Sequence, residues 1–330
     1  MKITGVTPIM KRYSENPILT SKDIPYASTM VYNPGVVKFK GKYVMVFRND
    51  CFKNKKYHHT DLALAFSHNG IKFKVENKPL SFMRDGGYPG FASGAYDPRL
   101  TVIKGRCYLC FALDTFNGIR GGIAVTDDFK KFELLSLSLP DNRNMVLFPE
   151  KINNRFVRLE RPFPVYGMYG KFKEKFDIWL SESPDGRYWG ESRLVLGADK
   201  VKFSNAKIGP GTPPVKTKKG WLTIFHAVDI DENRKKCGWA GNWKKRYTAG
   251  VMLLDLKDPS KVIGISKTPL MVPQLPYEYE TKGCRDNVIF PTGIILEEDG
   301  SVKIYYGAAD TVIALATADI NDLLNRCKPI

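Results

Sequence analysis

The run Asp97-Pro98-Arg99-Leu100-Thr101-Val102-Ile103 turns at Lys104-Gly105 and returns as Cys107 to Asp114. The fold is read from this unit. A residue before a proline opens it, a strand follows, a tight polar turn reverses the chain, and an apolar strand returns. Gly, Asn and Asp at such turns supply the positive φ that short hairpins require. Pro98 fixes its own φ and favours an extended backbone at Asp97, which sets a carboxylate at a strand entrance.

The unit recurs four more times. One copy runs from Asn33-Pro34 to Phe39, turns at Lys40-Gly41 and returns as Tyr43 to Arg48. The others open at Phe148-Pro149, Thr212-Pro213 and Phe290-Pro291, and their second strands end at Arg161, His226 and Asp310. Each pair is followed by an apolar strand ending in a polar turn, as in Asp61 to Gly70, and in the first four copies by a fourth strand. Five units of about four strands each predict an all-β fold, a five-bladed β-propeller. The last copy lacks its own fourth strand; residues 6–19 supply it and close the ring, and Asn321 to Arg326 form a short C-terminal helix. The repeat runs end to end without a linker, so residues 1–330 are expected to form one domain. A β-sandwich also suits many short strands, but the five-fold recurrence favours the propeller.

Composition narrows the function. The formal net charge is +17, which raises nucleic acid, anionic membrane and acidic small molecules as partners. The basic residues are spread along the chain with no helix-turn-helix, zinc-finger or RNP-type pattern, so no nucleic-acid partner is expected. There is no secretory apolar segment and no apolar run near the ~20 residues of a membrane helix. A cytoplasmic location without membrane contact is therefore expected. Cys107 and Cys110 lie three apart in a strand and face opposite sides, so they cannot share a metal; all six cysteines read as free thiols. His58 and His59 likewise point apart. No zinc spacing, P-loop, dinucleotide fingerprint or nucleophile elbow is present, so no metal and no organic cofactor are expected.

A propeller gathers equivalent positions at one mouth of its channel. The second-strand exits are Arg48, Asp114, Arg161, His226 and Asp310. Any one of them reads most simply as a solvated strand end. Charges at the same place in all five copies, with Asp97 beside them, point to a shared polar pocket. Glycoside cleavage normally uses two carboxyl groups. Asp97 is the best-placed acid, and no matching second carboxylate is evident. Arg143, Arg161, Lys207 and His226 stand there instead, a set suited to an anionic co-substrate such as phosphate.

At this point the chain resembles glycoside hydrolase family 130, the inverting β-mannoside phosphorylases and their hydrolase relatives. The matching pieces are Tyr96-Asp97-Pro98-Arg99, Arg143-Asn144 with Leu147 to Asn153, Glu160-Arg161-Pro162, and Lys207 to Gly211. Gly220-Trp221 running into His226, Asn287 to Gly293 and Tyr305 to Asp310 complete them. The resemblance spans nearly the whole chain and implies a five-bladed propeller. It implies Asp97 as catalytic acid, acting through a mannose hydroxyl. It places inorganic phosphate, as co-substrate, on Arg143, Asn144, Arg161, Lys207 and His226. It assigns sugar contacts to Arg48, Asp50, Tyr96, Arg99, Tyr247 and Asp310. Hydrolases of the family lack much of that cationic set, so its presence points to phosphorolysis of a β-mannoside, β-1,4-linked before β-1,2-linked. A hydrolase on the same fold and a non-catalytic sugar-binding propeller are the alternatives. Trp239 and Trp243, in the loop 229–246, read equally as stacking platforms for an acceptor sugar and as anchors of a contact between copies of the chain. The Gly-rich loop from Gly86 to Gly94 reads as a rim over the pocket or as a plain loop.

Overall fold

The computed structural model describes residues 9–54, 56–82, 94–164, 176–234, 244–279 and 285–330. Trp239, Trp243 and most of the Gly86 to Gly94 loop lie outside them. Five small antiparallel sheets form a five-bladed propeller. Blade 1 holds Met30–Phe39, Lys42–Lys53, Lys56–Ser67 and Lys74–Val75. Blade 2 holds Tyr96–Ile103, Arg106–Thr115, Gly118–Thr126 and Glu133–Leu137. Blade 3 holds Asn142–Leu147, Phe156–Pro162, Ile178–Ser183 and Gly190–Leu196. Blade 4 is built on Gly220–Ile230, Lys245–Leu254 and Val262–Ile265. Blade 5 holds Ile289–Leu296, Ser301–Ala308 and Val312–Asp319, and its outer strand is Lys11–Arg12. The ring thus closes on an N-terminal strand, and Ile320–Arg326 is the expected terminal helix.

The second strands of the blades are buried on both faces and mostly apolar, blade 3 excepted, where Arg158 and Glu160 pair on one face. In blade 1, Tyr43, Met45 and Phe47 pack with Tyr305 and Leu315 of blade 5, while Val44 and Val46 pack with Leu109 and Phe111 of blade 2. Five buried clusters result, one at each blade–blade interface. Cys107 belongs to the cluster facing blade 1 and Cys110 to the one facing blade 3, on opposite faces of their strand.

The inner strands differ from expectation in two blades. In blade 3 the inner strand is Asn142–Leu147, upstream of Phe148-Pro149. In blade 4 it is split into Lys207–Pro210 and Val215–Thr217, both paired with Gly220–Ile230. Pro210, Pro213 and Pro214 lie at or in the gap, and proline supplies no ladder donor. Near the axis the blades approach through backbone. A Cβ on Gly35 would stand 2.9 Å from the Pro98 carbonyl oxygen, and one on Gly211 would stand 2.8 Å from that of Pro291. Ring closure is reinforced by a buried clasp. Arg12 donates to both oxygens of Glu278 at 2.7 and 3.0 Å, and Tyr306 Oη and the Gln274 and Leu275 amides fill the rest of that carboxylate.

Candidate active site

Three successive inner strands carry the same irregularity. The pairing register shifts between Tyr32 and Gly35, between Tyr96 and Arg99, and between Arg143 and Val146. Within each bulge one residue takes a positive φ: Asn33 at 52°, Asp97 at 51°, Asn144 at 59°. Asn and Asp tolerate that region better than other non-glycine residues. The extended backbone expected at Asp97 is therefore overturned. The bulge outweighs the bias from Pro98 and re-aims the side chain, as bulges beside active sites do.

The three bulges open into a polar cavity of about 300 Å³ at one mouth of the channel. Arg48, Tyr96, Asp97, Arg143, Asn144, Arg161, Lys207, Tyr247 and Asp310 all line it. At its heart, Asp97 Oδ1 accepts from Asn33 Nδ2 at 2.8 Å and faces Arg48 Nη1 at 3.6 Å. The Arg48 guanidinium is sandwiched between the rings of Tyr32 and Tyr96, 4.8 Å from each. Burial alone would raise the Asp97 pKa. The charges of Arg48 and Arg99, the Asn33 bond and Arg143 more than offset it and hold the carboxyl below the usual carboxylate range. Tyr96 donates to Asp114 at 2.6 Å, and Arg285 donates to Asp310 at 2.7 Å.

The opposite wall is cationic. Arg161 is buried, and among the described residues its Nε and Nη2 have no partner; the same holds for Arg143 Nε. Both guanidinium groups lean on Phe163, at 5.6 and 5.2 Å. Burial, reinforced by Arg143, pushes Arg161 down to about 9. Lys207 lies 5.3 Å from the Tyr247 ring. Burial and the charges of Arg161, Arg143, Lys245 and Arg285 push it down to about 6. Crowded cations without matching acceptors need an anion among them.

Three expected contacts stand behind the cavity wall. Asp50 has both oxygens filled by Arg48, Tyr32 and Thr60, which leaves nothing for a sugar. Arg99 is 1% exposed and bolts the axis. It donates to the Asp97 carbonyl at 2.8 Å and to the Gly211 carbonyl of blade 4 at 3.3 Å, and it lies over Phe290 of blade 5. His226 is fully buried, with Nε2 3.1 Å from Arg161 Nη1. Burial and Arg161 hold the imidazole neutral, so Nε2 accepts from Arg161 and has no proton to give an anion. Conversely, the cavity is also lined by Tyr32, Asn33, Asp114, Lys245, Arg285 and Phe290. Tyr32-Asn33-Pro34 was a visible signal, since it repeats Tyr96-Asp97-Pro98.

A buried carboxylate facing a cationic wall at a propeller mouth defines a polar site suited to an anion. Comparison with known proteins agrees. The family model described as beta-1,4-mannooligosaccharide phosphorylase, that of glycoside hydrolase family 130, matches residues 3–329. A beta-1,4-mannooligosaccharide phosphorylase of Ruminococcus albus is 33% identical, over 97% of this chain and 91% of its own. A 1,2-beta-oligomannan phosphorylase of Thermoanaerobacter sp. is 32% identical, over 95% and 98%. The solved beta-1,2-mannobiose phosphorylase of Listeria innocua superposes with a TM-score of 0.80 at 25% identity, covering 96% of this chain and 98% of its own. The chain belongs to glycoside hydrolase family 130, and it is an enzyme of the glycoside phosphorylase type.

Proposed function

We propose that the enzyme carries out inverting phosphorolysis of β-mannosides, with β-1,4-linked mannosyl-glucose or manno-oligosaccharides as substrates. The observation that carries this reading is the wall of Arg143, Arg161 and Lys207. Three of its buried guanidinium nitrogens lack partners among the described residues, and its lysine is driven to about 6 by burial and neighbouring charge. Phosphate answers all three. The dianion attacks C1 of the terminal mannose from the face opposite the leaving sugar, and the C1–oxygen bond breaks. The leaving oxygen takes a proton that Asp97 supplies through a sugar hydroxyl. The P–OH of the new ester returns a proton to Asp97, so the cycle balances. The products are α-mannose 1-phosphate and a shortened acceptor. A second carboxylate is unnecessary because the dianion needs no deprotonation.

The surrounding cations hold Asp97 ionised. An anion against Arg143 offsets one of those charges, and the phosphate complex is the state in which Asp97 takes its proton. The β-1,4 choice is supported by the family description, whereas the Thermoanaerobacter relative acts on β-1,2-oligomannan. The test is sugar release from a panel of β-1,4- and β-1,2-mannosides with and without phosphate. Phosphate-dependent release with α-mannose 1-phosphate as product is expected, fastest on the β-1,4 substrates. Equal release without phosphate would mean a hydrolase, and preference for β-1,2 substrates would overturn the linkage.

A further inference from the structure

We infer that the orientation and proton affinity of Asp97 are set by Asn33, a positioning residue on the neighbouring blade, and that Gly307 of blade 5 makes the room in which Asn33 is held. This rests on the reading of Asp97 as the acid.

Asn33 and Asp97 occupy equivalent bulges of adjacent inner strands, both with positive φ, so their side chains meet across the blade boundary. Asn33 is 4% exposed and donates Nδ2 to Asp97 Oδ1 at 2.8 Å. A carboxylate only accepts, so the amide nitrogen must be the atom that faces it. Oδ1 of the carboxyl is then taken by the amide, with Arg48 Nη1 at 3.6 Å beside it. The other oxygen, Oδ2, is left to carry the transferable proton.

The far end of the amide is equally fixed. Asn33 Oδ1 is buried, has no partner among the described residues and points at Gly307. A Cβ on Gly307 would overlap that oxygen and stand 2.8 Å from the Asn33 backbone nitrogen. Gly307 lies in the second strand of blade 5, paired with Phe290 and Ile313, and has no polar side chain of its own. Its bare backbone is the surface against which the amide rests. The line Gly307–Asn33–Asp97 crosses three blades, so the acid is aimed by the assembled ring and not by its own strand alone.

The charged and titratable groups around Asp97 come from every neighbouring element. Arg48 stands on the second strand of blade 1, Arg99 and Tyr96 on its own strand, and Arg143 and Arg161 on blade 3. The hydrogen bond from the Asn33 amide is a neutral contact, and it favours the ionised carboxyl. Removing it makes Asp97 a weaker acid without changing the charge of the pocket.

The experiment compares the pH profile of kcat, at saturating phosphate and mannoside, for the parent, Asn33→Gly, Asn33→Asp, Gly307→Ala and Asp97→Asn. Saturating phosphate keeps the cationic wall occupied, so the alkaline limb reports the acid in the substrate complex. Glycine accepts the positive φ of position 33 and removes only the amide. Asn33→Gly should lower kcat by about tenfold to a hundredfold, the cost of a misplaced catalytic group. It should move the alkaline limb to higher pH and leave the KM for phosphate unchanged. Asn33→Asp sets a second carboxylate against the first and should move the limb further up, since two such neighbours cannot both ionise freely. Gly307→Ala should reproduce the loss of kcat from another blade. If Asn33→Gly and Asn33→Asp keep the parent kcat and limb while Asp97→Asn is inactive, the positioning role is overturned and the acid assignment stands. A parent-like Gly307→Ala would remove blade 5 from the line. An active Asp97→Asn would bring down the acid assignment itself.

Discussion

Raising the pH should loosen the anion site through one side chain. Lys207 is pushed from the ordinary 10.5 to about 6, first by burial and then by Arg161, Arg143, Lys245 and Arg285. At neutral pH it is therefore mostly uncharged. A bound dianion restores the reason to hold the proton, so anion binding takes one up. With a pKa of about 6, the protonated fraction falls about 25-fold between about pH 6.5 and about pH 8, and anion affinity should fall with it. Stopping near pH 8 leaves Arg161 charged, since it is pushed down only to about 9. Sulfate is the better probe because phosphate itself titrates in this window. Calorimetry in buffers of different ionisation enthalpy should register about one proton taken up per sulfate near pH 8, fading below pH 6. Lys207→Gln keeps donors but cannot titrate, so its proton uptake should vanish and its sulfate affinity should flatten with pH. The sign for folding is opposite. Between about 6 and 10.5 the unfolded chain binds the Lys207 proton and the folded protein does not, so this group makes stability rise with pH across that window. Sulfate binding with no proton uptake near pH 8, or uptake unchanged in Lys207→Gln, would refute the reasoning.

Two further outcomes follow from particular contacts. Arg161→Ala removes a charge-assisted donor worth about 1.5–3 kcal/mol, so the KM for phosphate should rise about tenfold or more while the KM for the mannoside stays within about twofold; an effect on the mannoside alone would mean that the anion lies elsewhere. Glu278→Ala leaves Arg12 without its buried partner and should cost about 3–5 kcal/mol in denaturant unfolding; a loss below about 1 kcal/mol would show that the clasp does not hold the ring.

The number of blades was legible because each unit repeats a turn and an apolar return strand, and both survive substitution. The inner strands were less so. Reading a proline as the strand opener works for Pro34, Pro98 and Pro291, which all lie within inner strands. It fails in blade 3, where Met145 follows the bulged residue and Pro149 comes after the strand. It fails again in blade 4, where the prolines divide the strand. The cavity wall was legible for the same reason as the fold: strand exits at equivalent positions converge. What position cannot show is saturation. Asp50, Arg99 and His226 sit where wall residues should, but Arg48, Tyr32 and Thr60 fill the Asp50 carboxylate, and Arg99 and His226 are turned into the wall onto Gly211 and Arg161. Lys245 and Arg285 reach the cavity beside segments with no repeating pattern to place them. The tie between Asn33 and Asp97 joins residues 64 apart, and only the closed ring brings them together.

Pro34 has a consequence for how the site ages. An asparagine normally deamidates when the backbone nitrogen of the next residue attacks its side-chain carbonyl and forms a cyclic imide. The nitrogen after Asn33 belongs to Pro34, which has no N–H and cannot close that ring. Spontaneous conversion of Asn33 to aspartate is blocked at its first step. Asn33, whose deamidation would set a second carboxylate against Asp97, is thus closed to the usual route of ageing, and the carboxyl keeps its neutral partner over time.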